Sequence, residues 1–345
     1  MTGPWVKVPV SVHAATWSTV PDTKKVLFVV HTVTSANRLL DLVHLFDSDL
    51  RVQLVFTCPD ASAISTGVTE LFDELGVIAI SWQQAIHTEW DLAITANTSG
   101  NLHELAAPLV VVSHGVGYSK NLPGNQETRK PGNQETRKPG NQETRKPGNQ
   151  ETRKPGNQET RKPVYGLCGQ SVVYGGRVIP QALVLSHTEQ LDRLAGAVSE
   201  ALPNAVVAGD PRFDRITAST GLRARYRAAL GIVEHERLVV VSSTWSSRSL
   251  FGSWPDLFRQ LLAELPVDRY RVADVLHPHI WYGHSRLQVR LWLADCLRAG
   301  LLLVPPAEGW SAALIASDLV VGDHGAVTCY GAAIDNPTIS AIAEL

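Results

Sequence analysis

The chain has few of the features that place a protein quickly. Its four cysteines, Cys58, Cys168, Cys296 and Cys329, are scattered and make no C-x-x-C pair. That excludes a disulfide scaffold and suits a reducing compartment with idle thiols. No apolar run approaches the roughly 18 residues of a membrane span. The opening MTGPWVKVPVSVHAATW lacks the apolar stretch of a secretory signal. A soluble cytoplasmic protein is expected. The glycines and lysine of a Walker loop are missing as well. Basic charge is not in excess either, since the net is −2. Setting aside the repeats described below leaves 21 basic against 28 acidic residues, a mildly acidic body. Nucleic acid is therefore not expected as a partner.

What is present is alternation. KKVLFVVHT (24–32), VQLVFTC (52–58), GVIAISW (76–82), DLAITAN (91–97) and PLVVVSHG (108–115) read as strands. Helical patterns lie between them, at SANRLLDLVHLF and around 62–75. ALVLSHT (182–188), an amphipathic helix TEQLDRLAGAVSEAL capped by Thr188, and AVVAGDPRFD follow. A polar connector over 218–236 leads to a second series. It runs RLVVVSSTW (237–245), a helix over 255–265, YRVADVLHPH (270–279), a helix over 285–298 and LLLVPP (301–306). A helix over 310–316, DLVVGDHG (318–325), a helix over 326–334 and PTISAIA (337–343) complete it. Strands alternating with helices at this spacing mean βαβ units and parallel sheets. The fold class is α/β, with two Rossmann-like domains and a central cleft. The first domain takes 1–123 and 164–220, and a nucleotide-binding second domain takes 221–345.

Between them, Gly124 to Pro163 is GNQETRKP five times over, without one apolar side chain. Ordering it would cost ~1–2 kcal/mol of backbone entropy per residue with no apolar return. The octapeptide repeat is expected to be a disordered insertion in a surface loop, where closure entropy grows only slowly with length. The other reading is a flexible lid or tether at the cleft mouth, or a segment that binds a protein partner.

Five loops could carry chemistry. VVVSHGVGYSKN puts His114 at a strand end, where an imidazole can act as general base. Gly115 and Gly117 would let backbone approach a ligand. In AGDPRFDRI, Arg212 can pair with a phosphate or with Asp214. SSTWSSRSL, with Ser243, Thr244 and Arg248, makes a phosphate cradle ahead of a helix. LHPHIWYGH holds His277, His279 and His284. A zinc set is disfavoured there, since no cysteine or carboxylate is well spaced, and His277 reads as a cleft residue. SDLVVGDHGAV places Asp323, His324, Gly325 and Ala326 at a strand–helix turn whose free N–H groups can hold an anion. Asp323 would oppose an anion unless it turns away.

In this order the loops resemble the GT-B glycosyltransferase architecture, and more narrowly the CDP-glycerol glycerophosphotransferase family of teichoic-acid synthesis. The resemblance rests on HGVGYSK (114–120), GDPRFD (209–214), STWSSR (243–248), HP (277–278), SDLVVGDHG (317–325) and NP (336–337). It implies transfer of a glycerophosphate or glycosyl group from a nucleotide-diphosphate donor to a cell-envelope or metabolite hydroxyl, with peripheral membrane contact. His114 would take the acceptor proton. Ser243, Thr244, Arg248, His277 and the 323–326 turn would hold the diphosphate, without a metal or other cofactor. Lys120 stands in the first loop, one position later than the family pattern. His324-Gly325 stand where the family has Ser-Ser, and the second domain ends at Leu345 as a truncated or minimal one. The altered 323–326 turn, the early stop and the long insertion beside the acceptor loop favour a second reading, a binding or assembly protein that has lost catalysis, whereas His114, His277 and Arg248 favour the first. A sugar-nucleotide epimerase is the third. The first check is on the insertion: a chain lacking residues 124–163 is expected to keep its circular dichroism and its melting transition, and failure to fold would refute its dispensability.

Overall fold

The computed structural model describes residues 5–10, 14–59, 67–118, 164–306 and 309–341. The five repeats and Lys120 lie outside them. Among the described residues, no helix is long and apolar enough to cross a membrane.

The first sheet is built from β1 (Lys24–Val29), β2 (Val52–Cys58), β3 (Ala79–Ser81), β4 (Leu92–Thr95) and β5 (Leu109–Val111). A two-stranded hairpin, β6 (Val173–Tyr174) with β7 (Arg177–Val178), precedes its last strands, β8 (Ala182–Leu185) and β9 (Ala205–Val207). The order is β3-β2-β1-β4-β5-β8-β9, and every neighbouring pair is parallel. The second sheet comprises β10 (Arg237–Ser243), β11 (Tyr270–Leu276), β12 (Leu302–Leu303), β13 (Leu319–Gly322) and β14 (Thr338–Ser340). Its order, β12-β11-β10-β13-β14, is again parallel throughout and repeats the first five strands of the other sheet. In both, the chain reverses direction across the sheet beside the central strand, and that switch point is where such folds bind ligands.

Near-continuous apolar runs make these strands because helices cover both faces. Along β1, Leu27 and Val29 face one core with Val111 and Leu183, while Val26 and Phe28 face another with Phe56 and Ile94. The Val33–Val43 helix starts in a capping box: Thr32 Oγ1 accepts from Ser35 N at 3.1 Å, and Ser35 Oγ accepts from Thr32 N at 2.9 Å.

The structure differs from the sequence reading in several places. GVIAISW is strand only at Ala79–Ser81, and Trp82–Ile86 is a helix capped by Ser81. LHPHIWYGH is not a loop but the helix Pro278–His284, begun by His277 as cap with Pro278 in the first turn. Ser285, at φ +76°, breaks it from Arg286–Trp292, and the expected 285–298 helix divides again before Ala294–Arg298.

Asp274 in β11 is fully buried. Its Oδ1 accepts from Val304 N at 3.1 Å, whereas Oδ2 has no partner. Burial pushes this carboxyl up to about 8, against weaker opposing contributions from the Val304 N–H and its own backbone. The folded protein thus holds a proton that the unfolded chain releases above its ordinary value of 3.8. The stabilisation is present below that value and is lost as pH rises toward 8. Denaturant titrations are expected to show stability falling over this window by at most about 1.4 kcal/mol per pH unit. The Asp274→Asn chain should lack that component, and parallel profiles for the two would refute it.

Candidate functional site

The C-terminal edges of the two sheets face each other, and among the contacts that join the two domains several lie at these edges. The hydroxyl of Thr34, after β1, lies 3.4 Å from Nε2 of His277, after β11. A Cβ on Gly115, after β5, would sit 4.0 Å from Ala326 Cβ. Tyr282 packs into the first domain's core and against Gly67, where any side chain would overlap its ring. Arg286 reaches Glu74 at 3.2 Å.

On the second-domain side, Asp323 is the organiser. It is 1% exposed and follows β13. Its Oδ2 accepts from Thr244 N at 2.8 Å, Thr244 Oγ1 at 2.7 Å and Leu250 N at 3.1 Å, and Oδ1 accepts from Gly325 N at 3.1 Å. This corrects its expected role. Asp323 is no donor ligand but a clip that ties the β10 loop to the β13 turn. Four donors offset the cost of burying its charge. Ser243 is also internal: its Oγ donates to Thr244 O and accepts from Phe251 N, each at 2.9 Å. Gly325 packs so closely on Thr244 Cγ2, 2.9 Å from an added Cβ, that a side chain would force the turn apart. It caps the Ala326–Ala333 helix, and His324 beside it is exposed. Arg248 is exposed at the tip of the β10 loop, in a turn where Ser246 takes φ +107°.

His277 caps its helix through Nδ1, which accepts from His279 N at 3.1 Å. The ring proton is thereby assigned to Nε2, the atom facing Thr34. The three histidines of this segment diverge. His279 meets Trp245 edge-on at 4.5 Å, and His284 meets Trp292 at 4.9 Å. Burial lowers the His279 pKa, with His284 adding a smaller repulsion.

On the first-domain side, His114 is half-buried in the loop after β5. The glycines around it serve packing. Gly117 has φ +58° and leaves no room for a Cβ beside Gln190. The carbonyl of Gly115 accepts from Arg38 and from Ser113 Oγ at 3.2 Å. Arg212 does not pair with Asp214, which is exposed. Its Nε donates to Asp41 at 2.8 Å, its Nη2 to Asn37 O at 2.9 Å, and its guanidinium lies 5.4 Å from the Trp310 ring. The sequence reading missed Arg38, Asp210 and Tyr330. Arg38 and Asp210 form a buried bidentate pair at 2.6 and 2.9 Å, and Tyr330 of the second domain donates to Asp210 Oδ2 at 2.7 Å. Hydrogen bonding by Arg38 and Tyr330 outweighs burial and holds the Asp210 carboxyl below its ordinary range. One signal was available: Thr34, Asn37, Arg38 and Asp41 recur at helical spacing as a polar stripe. The sequence's D-x-D triplet, Asp47-Ser48-Asp49, lies ahead of β2 at the opposite end of the sheet, with Asp49 paired to Arg51 at 2.8 Å.

Two doubly wound domains with their strand ends face to face make a GT-B-like fold, and this chain has it. No family model matches the sequence, and a comparison with curated proteins finds no match. Solved structures do match in fold. The wall teichoic acid polymerase TagF, as a variant soaked with CDPG, superposes with a TM-score of 0.57 at 12% identity, over 93% of this chain and 70% of that one. S. aureus MnaA with UDP gives 0.51 at 11% identity, over 93% and 80%. At such identity the likeness is one of fold.

The clip is open to test. Asp323→Ala would strand the N–H groups of Thr244, Leu250 and Gly325, so a stability loss on the order of 3 kcal/mol is expected in denaturant titrations. A loss too small to measure would mean that water replaces the carboxylate and that the clip is not what holds the loops.

Proposed function

We propose that the chain is a transferase. It moves a glycerophosphate or glycosyl group from a nucleotide-diphosphate donor to an acceptor hydroxyl. The observation that carries this reading is the Asp323 clip, which gathers the β10 loop and the Gly325–Ala326 helix start opposite the His114 loop. The two solved structures of this fold described above were soaked with CDPG or carry UDP.

In this reading the donor diphosphate lies over the second sheet's edge. The backbone N–H groups at the start of the Ala326–Ala333 helix and the Arg248 guanidinium meet its charge. Ser243 and the Thr244 hydroxyl shape the loop rather than touch the donor, because their hydrogen bonds are used internally. His277, with its proton on Nε2, donates toward the leaving phosphate. His114 accepts the proton of the acceptor hydroxyl as the new bond forms. The attack falls on phosphorus with loss of a nucleoside monophosphate, or on an anomeric carbon with loss of the diphosphate. In either case the departing bond is the one to the nucleotide's phosphate oxygen, and fixed donors stabilise its charge.

A catalytically silent relative is the second reading. It is favoured by the inward use of Thr244 and Asp323, which leaves few side chains free for a donor. Calorimetry of the purified chain against CDP-glycerol, CDP, UDP and UDP-sugars separates the two. At least one nucleotide is expected to bind, and Arg248→Ala and His277→Ala to weaken it about tenfold or more. Binding indifferent to both substitutions, or none at all from a folded sample, would remove the transferase reading.

A further inference from the structure

The Val33–Val43 helix turns two different faces to its surroundings. Val33, Ala36 and Leu39 enter the core, while Thr34, Asn37, Arg38 and Asp41 form the polar stripe. Each residue of that stripe contacts something outside its own helix. Thr34 meets His277, Asn37 and Asp41 hold Arg212, and Arg38 stands at the centre.

Arg38 is 9% exposed and uses its fork in two directions. On one side it binds both oxygens of Asp210, whose Oδ2 also accepts from Tyr330 of the second domain. On the other it donates to the carbonyl of Gly115, the residue after His114. The peptide plane beside the candidate base is therefore hydrogen-bonded, through one guanidinium and one carboxylate, to a helix of the opposite domain. That is the Ala326–Ala333 helix whose start faces the donor. Asp210 is itself fixed, since it caps the Pro211–Ser219 helix by accepting from Arg212 N at 3.0 Å and Phe213 N at 3.3 Å. Replacing a buried ion pair by apolar side chains often costs no stability, so stability alone does not explain such a cluster. A planar fork that sets three groups in fixed relation does explain it.

We propose that Arg38 is a positioning residue for the transfer. It sets the His114 loop relative to the donor-side helix, so that the base is correctly placed only when the two domains are engaged through Asp210 and Tyr330. This rests on the proposed transferase reading. No bond to substrate is assigned to Arg38.

The test compares the full chain with Arg38→Lys, which keeps a charge but loses the fork, and Tyr330→Phe, which removes one hydroxyl and keeps the ring. Amide hydrogen exchange over residues 109–118 is read beside nucleotide affinity and steady-state transfer. Exchange in the loop is expected to rise about tenfold in both variants. Affinity for the nucleotide should stay within about twofold, while kcat falls about tenfold or more at unchanged donor KM. Unchanged exchange in both variants overturns the tether. Faster exchange with unchanged kcat overturns its part in transfer. Should Arg38→Lys fail to fold, Tyr330→Phe carries the same readouts. Failure of the transferase reading is distinct: it appears as an unsubstituted chain that binds no nucleotide. That result also overturns the part in transfer, leaving the tether to be judged on exchange alone.

Discussion

A carboxylate removed from water has to be surrounded by donors, and this molecule is organised around that requirement. Asp210 collects the Arg38 guanidinium, two backbone N–H groups and the Tyr330 hydroxyl. Asp323 collects three backbone N–H groups and a hydroxyl. Asp318 collects Arg223 at 2.8 Å, Arg227 at 2.9 Å and the Leu238 N–H at 2.8 Å, tying the Arg223–Ala229 helix to the second sheet. Each carboxylate joins segments far apart in sequence. Asp274 is the counterexample. With one donor available, it keeps its proton instead.

The alternation of strands was legible because buried parallel strands are written as apolar runs, and KKVLFVV and RLVVVSS could be little else. The repeated five-strand order was not legible, since pairing is decided by crossovers that leave no local mark. The Pro278–His284 helix escaped for a different reason. Its histidines and aromatics suggested chemistry, while its start signal, a capping side chain followed by proline, was read as a strand end.

Site residues divide along a similar line. His114, His277 and the 323–326 turn could be picked out because each stands just past an apolar run, and a strand's end is visible in sequence. Their partners could not. Arg38 and Asp41 lie in an ordinary-looking helix, and only the folded chain sets them beside Asp210 and Arg212, some 170 positions on: 172 separate Arg38 from Asp210. Asp323 shows the limit most clearly. Its place beside a helix start was readable, but the direction of its carboxylate depended on where the β10 loop would lie.

The polar stripe of the Val33–Val43 helix also bears on which changes of length the chain can accept. Thr34, Asn37, Arg38 and Asp41 meet their partners because they share one side of a cylinder with about 3.6 residues per turn. A single residue inserted after Asn37 would swing everything beyond it by about 100°, carrying Arg38 and Asp41 away from their partners and bringing Leu39 out of the core together. Loops elsewhere absorb added length at little cost. This helix cannot, so across the chain's descendants its register is the dimension in which gain or loss of one residue is least tolerable.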